Sequence, residues 1–140
     1  MKSARHRSRE YALQGLYQWL IAGGKAADIL AQLGQDQHFS KADAEFVESL
    51  IAGAIAEAPE LDTLITPALD RKLAEVSPIE RAILLLGAYE LKHLVDVPYR
   101  VVINEAIELA KSFGGTDGHK YVNGVLDKIA PALRPAERRG

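Results

Sequence analysis

The 140-residue sequence contains no cysteine. This absence excludes disulfides, thiolate metal sites and cysteine nucleophiles, although it fits any redox compartment. The sequence also lacks the run of about 18 apolar residues that a membrane-spanning helix needs, and its charged N-terminus lacks the apolar core of a signal peptide. We therefore expect a cytoplasmic protein without a membrane partner.

Low hydrophobicity and one-sided charge, the marks of a disordered chain, are also missing. Hydrophobic residues make up 48% of the sequence and charged residues 26%, which is typical of a globular protein. A chain of this length can bury roughly two thirds of its unfolded surface in one core. We expect a single helical domain over residues 1–131 and a flexible basic tail over residues 132–140.

The net charge of −2 conceals an uneven distribution. Residues 1–9 contain four cations and no acid, and residues 132–140 contain three arginines and one glutamate, so residues 10–131 carry a net charge of −8. Basic ends predict a polyanion site at the termini, and the acidic body predicts a different partner of basic character.

Apolar residues recur at helical spacing along most of the chain, and no segment shows the alternation of a strand. We predict helices over about 4–21, 26–33 and 79–95. A further helix should run from an N-cap at Ser40 to just before Pro59, and another over 61–73 with a break at Thr66-Pro67. Asp43 completes an approximate capping box with Ser40, and Gly53 predicts a close helix approach. The segment Ser77-Pro78-Ile79-Glu80 combines an N-cap, a proline in the first turn and a capping glutamate, and it begins a core helix that is apolar on most sides.

Residues 97–129 contain two further helices joined by a glycine-rich turn. The first has its apolar face at Val102, Ala106, Ile107, Ala110 and Phe113. Gly114-Gly115 end this helix, and glycine suits a left-handed C-terminal cap. Asp117 is predicted to N-cap the last helix, which halts at Pro131. Together these patterns predict an all-α fold, a compact bundle of about seven helices.

The first helix begins with an excess of cations. Each cation at a helix N-terminus opposes the macrodipole by roughly 0.3–1 kcal/mol. An anionic ligand would reverse that effect, which favours a nucleic-acid contact. A solvated charged arm is the alternative, and the pattern alone leaves both open.

The residues of catalysis and metal binding form no motif in this sequence. His6, His38, His93 and His119 lie in separate segments, and none has a partner at metal-ligand spacing. Glu105 and Glu108 share a helix face without an accompanying acid or base, which indicates solvated carboxylates. We predict that the protein is not an enzyme and binds no cofactor and no metal.

Several stretches together resemble one family. RHRSRE and YALQGLYQW at the N-terminus, PIERAILLLGAYEL in the centre, and VPYRVVINEAIELAKSF followed by HKYVNGVLDKIAP resemble the NusB family of bacterial transcription antitermination factors. The resemblance implies two helical subbundles sharing one core. It also implies binding of boxA-type single-stranded RNA together with ribosomal protein NusE, in an antitermination complex with RNA polymerase that supports ribosomal RNA transcription.

The resemblance also assigns residues. The family's arginine cluster falls on Arg5, Arg7 and Arg9, beside Lys2, and His6 takes a place that arginine often holds, so that contact should be weaker or pH-dependent. The turn before the last helix contributes three further RNA-binding candidates, which are Asp117, Lys120 and Tyr121. The candidates for contact with the protein partner are Tyr17, Glu75 and Glu80.

The sequence leaves two other classes of function open. One is a structural helical protein-interaction domain that binds no RNA and whose basic ends serve solubility. The other is the RNA-binding helical module found ahead of some ribosomal RNA methyltransferases, which would need a catalytic domain that these residues do not contain. The sequence does not decide between a monomer and a homodimer.

Overall fold

The structure is a computed structural model and describes residues 2–138. These residues form seven α-helices of at least eight residues and one single-turn helix, with no strand among them. The helices are α1 Ala4–Ala22, α2 Ala26–Leu33, α3 Ala44–Ala56, α4 Ala58–Ile65, α5 Pro78–His93, α6 Tyr99–Phe113, α7 Gly118–Leu133 and α8 Pro135–Arg138. The predicted all-α bundle of about seven helices is confirmed. None of these helices combines the length and the apolar character that crossing a bilayer would require.

Helix α5 is the core helix that the sequence predicted. Helices α1, α2 and α3 pack on one another, α4, α6 and α7 pack on α5, and α5 also contacts α1 and α3. Ile83, Leu84 and Leu85 of α5 are fully buried. Because α5 lies between the two groups, they share one hydrophobic core.

Side-chain caps begin three of the helices. Ser3 accepts a hydrogen bond from the N–H of His6 at 3.0 Å at the start of α1, and Ser77 accepts one from the N–H of Glu80 at 3.2 Å at the start of α5. The predicted cap at Ser40 is wrong, since residues 39–41 form a separate 3-10 turn. Asp43 caps α3 instead, accepting from Phe46 at 3.2 Å.

The turn between α6 and α7 differs from the prediction in its backbone. Helix α6 ends at Phe113 as expected, but Gly114 is extended, with φ −87° and ψ 178°, rather than left-handed. The left-handed residue is Asp117, with φ 64°, and its side chain makes no capping hydrogen bond to α7. The predicted side-chain N-cap at Asp117 is therefore wrong.

Gly53 of α3 allows a neighbouring helix to approach closely. A Cβ atom at this position would lie 2.3 Å from the Tyr89 ring of α5, closer than two carbon atoms can pack. The predicted close helix approach is confirmed.

The chain after residue 131 differs from the predicted flexible tail. Helix α7 continues through Pro131 to Leu133, and Arg134 is only 4% exposed. Its guanidinium donates to the carbonyl oxygens of Glu90 and Leu91 in the last turn of α5 and of Leu94 and Val97 in the segment that follows. The predicted basic tail is therefore anchored through Arg134 and Glu137, and residues 139 and 140 lie outside the described residues.

Candidate nucleic-acid interface

The predicted RNA-binding arm forms the first turns of α1, where it starts on the Ser3 cap. Lys2 and Arg5 are exposed, and His6 and Arg7 are half-buried. The Arg5 guanidinium lies 4.0 Å from the centre of the Phe46 ring of α3, a cation–π contact that holds it on the surface. The arm therefore presents its cations from a rigid helix rather than from a free tail.

Carboxylates within the protein offset part of the arm's charge. Lys2 Nζ lies 2.9 Å from Glu10 Oε2, and His6 Nδ1 lies 2.6 Å from Glu105 Oε2. His6 Nε2 also lies 3.8 Å from Glu10 Oε2. The unfavourable interaction of cations with the α1 dipole is therefore partly relieved without a ligand, and Glu105 is not the solvated carboxylate that the sequence suggested.

Arg9 lies outside the arm's exposed surface. It is 3% exposed, and it donates to Glu90 through Nε at 2.9 Å and through Nη2 at 2.8 Å, while Nη1 lies 3.3 Å from Glu105 Oε1. Burial by itself would lower the pKa of Arg9, but the hydrogen bonds and charge of Glu90, with the charge of Glu105, raise it overall. Arg9 is therefore a weaker candidate for an RNA contact than the other arginines, because its donors are already used inside the protein.

Arg5 and Arg7 keep their charge available. Neither forms an ion pair with another residue in the described part of the chain. A cation without a carboxylate partner can bind a phosphate without first breaking an internal salt bridge. These two arginines are therefore the strongest candidates for phosphate contacts on α1.

Two grooves border the arm. One, of about 680 Å³, lies between the arm and α6, and Glu105 and Glu108 line it together with His6. The other, of about 250 Å³, is lined by Arg7 and Phe113 and also by the carboxylates of Glu10 and Asp36. Each groove therefore carries two carboxylates, and the second one connects the arm to the end of α6.

The predicted turn residues Asp117 and Lys120 form an ion pair on the surface. Their charged atoms lie 3.3 Å apart, and their side chains are 67% and 72% exposed. A pair this exposed contributes little to stability, on the order of 0–1 kcal/mol. Lys120 can therefore exchange Asp117 for a phosphate with little loss of folding free energy.

Tyr121 is less accessible than its place in the sequence suggested. Its hydroxyl is buried and has no hydrogen-bond partner in the described structure, and the Arg71 guanidinium lies over its ring at 4.2 Å. Burial raises the pKa of Tyr121, and the Arg71 charge offsets part of that rise. Arg71 is held by Asp70 at 2.7 Å. A base could stack on this face of the ring only after Arg71 had moved.

The predicted protein-contact residues lie on three elements. Tyr17 of α1 is 38% exposed, and Ile21, one turn further on, is 59% exposed, so the two form an apolar ridge. Glu75 is exposed in a short 3-10 turn before α5.

Glu80 lies beside the last helix. A Cβ atom at Gly118 would lie 3.0 Å from Glu80 Oε2, so the carboxylate rests against the start of α7. The charge of Glu80 also contributes to the raised pKa of Arg71, after the larger effect of the Asp70 hydrogen bond. The structure thus brings a predicted protein-contact residue next to the predicted RNA-binding turn.

Three residues that are prominent in the structure were not among the predicted site residues: Phe113, Arg71 and Arg134. Phe113 was assigned to the apolar face of α6, yet it is 40% exposed. A surface phenylalanine at the end of a helix and next to a glycine turn is the signal that could have identified it. Within residues 2–138 no group of histidines and carboxylates is placed to hold a metal ion.

Known proteins are similar to this chain in sequence and in fold. Residues 6–131 match the NusB family. The chain is 58% identical over 137 residues to the transcription antitermination protein NusB of Paraburkholderia phytofirmans, covering 98% of this chain and 95% of that protein. It is 60% identical over 129 residues to the protein of the same name from Nitrosospira multiformis, covering 92% and 82% respectively.

Solved structures agree with the sequence relatives. The fold superposes on a solved structure of T. maritima NusB with a TM-score of 0.87 and 31% identity over the full length of both chains. It also superposes with a TM-score of 0.80 and 25% identity on a crystal structure of antitermination factors NusB and NusE in complex with double-stranded RNA, covering 94% of this chain and 99% of that one.

Proposed function

The chain belongs to the NusB family, and from this premise we propose that it is a transcription antitermination factor that binds boxA-type single-stranded RNA. It does so together with ribosomal protein NusE, and it supports ribosomal RNA transcription by RNA polymerase. The observation that carries the proposal is the basic start of α1, where Arg5 and Arg7 have no acidic partner among the described residues although residues 10–131 are acidic.

The proposed RNA surface combines the arm with the turn before α7. On the arm it includes Lys2, Arg5, His6 and Arg7. In the turn it includes Asp117, Lys120 and Tyr121. Arg9 is left out because its guanidinium is buried against Glu90.

We expect replacement of Lys2, Arg5 and Arg7 by alanine to make RNA binding less sensitive to salt. Each phosphate contact on single-stranded nucleic acid contributes about −0.7 to the slope of log affinity against log salt concentration, so three contacts contribute roughly −2. The measurement is a filter-binding titration of boxA-like RNA at several salt concentrations. Replacement of exposed Lys111 on α6 by alanine is the matched control, and circular dichroism should show unchanged helicity in both proteins. An unchanged slope in the triple variant would refute phosphate binding by the arm and favour a structural interaction domain.

The proposed protein-contact surface uses the acidic body. Tyr17, Glu75 and Glu80 present one aromatic ring and two carboxylates. Aromatic anchors and complementary charges are the groups that give an interface its affinity and its association rate. A basic ribosomal protein fits this chemistry, and Ile21 beside Tyr17 extends the apolar part of the surface.

We expect Glu80→Gln to weaken binding of NusE by roughly tenfold, as for loss of a charged hydrogen-bonding group at an interface. The Ser77 cap accepts from the Glu80 backbone N–H, which glutamine retains, so the melting temperature should change little. Isothermal titration with purified NusE measures the affinity, and thermal unfolding measures the stability. Glu60→Gln, an exposed acid in α4, is the control. A loss of stability with full binding would make Glu80 a structural residue only.

The protein acts, in this proposal, by binding and not by catalysis. Its place is the cytoplasm, because RNA polymerase and nascent ribosomal RNA are there. Titrating boxA-like RNA with and without NusE would measure how far the two ligands support each other.

A further inference from the structure

Phe113 is an exposed aromatic side chain on an otherwise buried helix face. Val102, Ala106 and Ala110 of the same face of α6 are at most 4% exposed, whereas Phe113 is 40% exposed. It is the last residue of α6, and the turn that leads to Lys120 follows directly. A ring left in solvent at this position is available to a ligand.

The groove beside Phe113 has the size of a pocket for one small planar group. Its volume is about 250 Å³, and it lies between the first turns of α1, the end of α6 and the segment around residue 36. Lys2, Arg7, Tyr11 and Asp36 line it together with Phe113.

Most charges in this groove are already engaged. Lys2 pairs with Glu10 at 2.9 Å, and Asp36 accepts a hydrogen bond from the N–H of His38 at 2.8 Å. Burial raises the pKa of Tyr11, and the neighbouring Asp36 raises it further, so this phenol stays protonated at neutral pH. Arg7 alone is a cation of the groove without an ion-pair partner among residues 2–138.

This combination of groups matches an unstacked nucleobase. An aromatic ring offers a stacking face to any base, and a neighbouring arginine binds the phosphate. The carboxylates of Glu10 and Asp36 can accept from the amino group of a base edge. The groove thus offers acceptors from Glu10 and Asp36 together with a cation at Arg7, which suits a nucleotide with a base edge and a phosphate rather than a bare anion.

We propose that the groove beside Phe113 binds one base of the single-stranded RNA, stacked on the Phe113 ring, with its phosphate on Arg7. The inference rests on the proposed RNA binding and adds a stacking site to it. It extends the RNA surface from the arm to the end of α6, since Arg7 and Phe113 line the same groove.

The test measures binding of boxA-like RNA to Phe113→Ala, Phe113→Leu and Phe113→Tyr. Loss of one base stack lowers affinity by roughly tenfold, and we expect this for alanine and for leucine, while tyrosine keeps near-full affinity. The slope against salt should be unchanged, because the ring carries no charge. Val101→Ala is the matched control, since Val101 is an exposed apolar residue of the same helix, at 41%. Thermal unfolding checks that each variant is folded.

The outcomes separate this inference from the proposed function. If the wild type binds RNA and Phe113→Ala or Phe113→Leu binds it equally well, the stacking site is refuted and the proposed function stands. If the wild type binds no single-stranded RNA, both fail. If the variants keep RNA affinity and lose affinity for NusE, the groove binds protein and the stacking proposal is wrong.

Discussion

Replacing Arg134 with alanine is expected to lower the free energy of unfolding by about 2–3 kcal/mol, because buried main-chain acceptors lose a charged donor. Arg134 is 4% exposed and donates to four main-chain carbonyls, at 3.2 Å for Glu90, 2.7 Å for Leu91, 2.8 Å for Leu94 and 2.9 Å for Val97. Without it, each of these carbonyls loses a side-chain donor, although Glu90 keeps the N–H of Leu94 and Leu94 keeps the N–H of Val97. Helix ends buried without partners are strongly unfavourable.

Urea unfolding followed by circular dichroism measures this effect. Arg134→Lys should recover only a minor part of the loss, because one ammonium group cannot reproduce the planar set of donors that the guanidinium offers. Lys111→Ala is the control for loss of a surface cation, and its effect should stay within about 0.5 kcal/mol. A change equally small in Arg134→Ala would show that the segment after α7 is not needed to complete α5.

Glu137 supports this arrangement from the single-turn helix α8. Its carboxylate accepts from the N–H of Tyr99 at 3.0 Å and pairs with Arg134. The Tyr99 N–H first, and then Arg134, lower the pKa of Glu137, so the carboxylate remains charged at neutral pH. The final turn therefore ties the end of α7 to the start of α6.

The helices could be predicted because their signals are local. The apolar spacing in α5 and the Ser77-Pro78 start involve residues within one or two turns of each other, and both predictions were confirmed. Arg134 could not be assigned in this way. Its acceptors lie about 40 residues earlier in the chain, and only the packing of α7 on α5 brings them together.

In the candidate site, too, local sequence features could be predicted and contacts between distant residues could not. Charge alone makes Arg5 and Arg7 candidates, because a basic segment on an acidic chain is visible in the sequence. Charge alone also included Arg9, which pairs with Glu90, 81 residues away. A residue that binds phosphate and a residue that completes an internal salt bridge have the same sequence signal, and the fold separates them.

The prediction for the turn before α7 was wrong for a different reason. Aspartate is common both at helix N-caps and in left-handed turns, because its short side chain suits either conformation. The sequence favoured the cap, and the structure has the left-handed turn at Asp117. The left-handed conformation was expected at Gly114-Gly115, but it occurs at Asp117.

Replacing Arg9 with alanine is expected to destabilise the fold by about 3–5 kcal/mol, because Glu90 would be left charged and unpaired in the core. Glu90 is 3% exposed, and its two oxygens accept from Nε and Nη2 of Arg9. A loss of this size is a large fraction of the 5–15 kcal/mol by which domains are stable. Urea unfolding measures it, and exposed Arg5→Ala, next to Phe46, is the matched control from the same helix.

The double replacement Arg9→Met with Glu90→Leu separates the structural role of Arg9 from any contact with RNA. Exchanging both members of a buried ion pair for apolar residues of similar size often restores stability, so the double variant should unfold close to the wild type. If Arg9 serves only the fold, this protein should bind boxA-like RNA with the wild-type salt slope, because the cations of the arm are intact. A slope flattened by about 0.7, the contribution of one phosphate contact, would instead mean that Arg9 leaves Glu90 to bind RNA. Arg7→Ala provides the comparison, since it should flatten the slope by that amount while leaving the core network of Arg9, Glu90 and Glu105 in place.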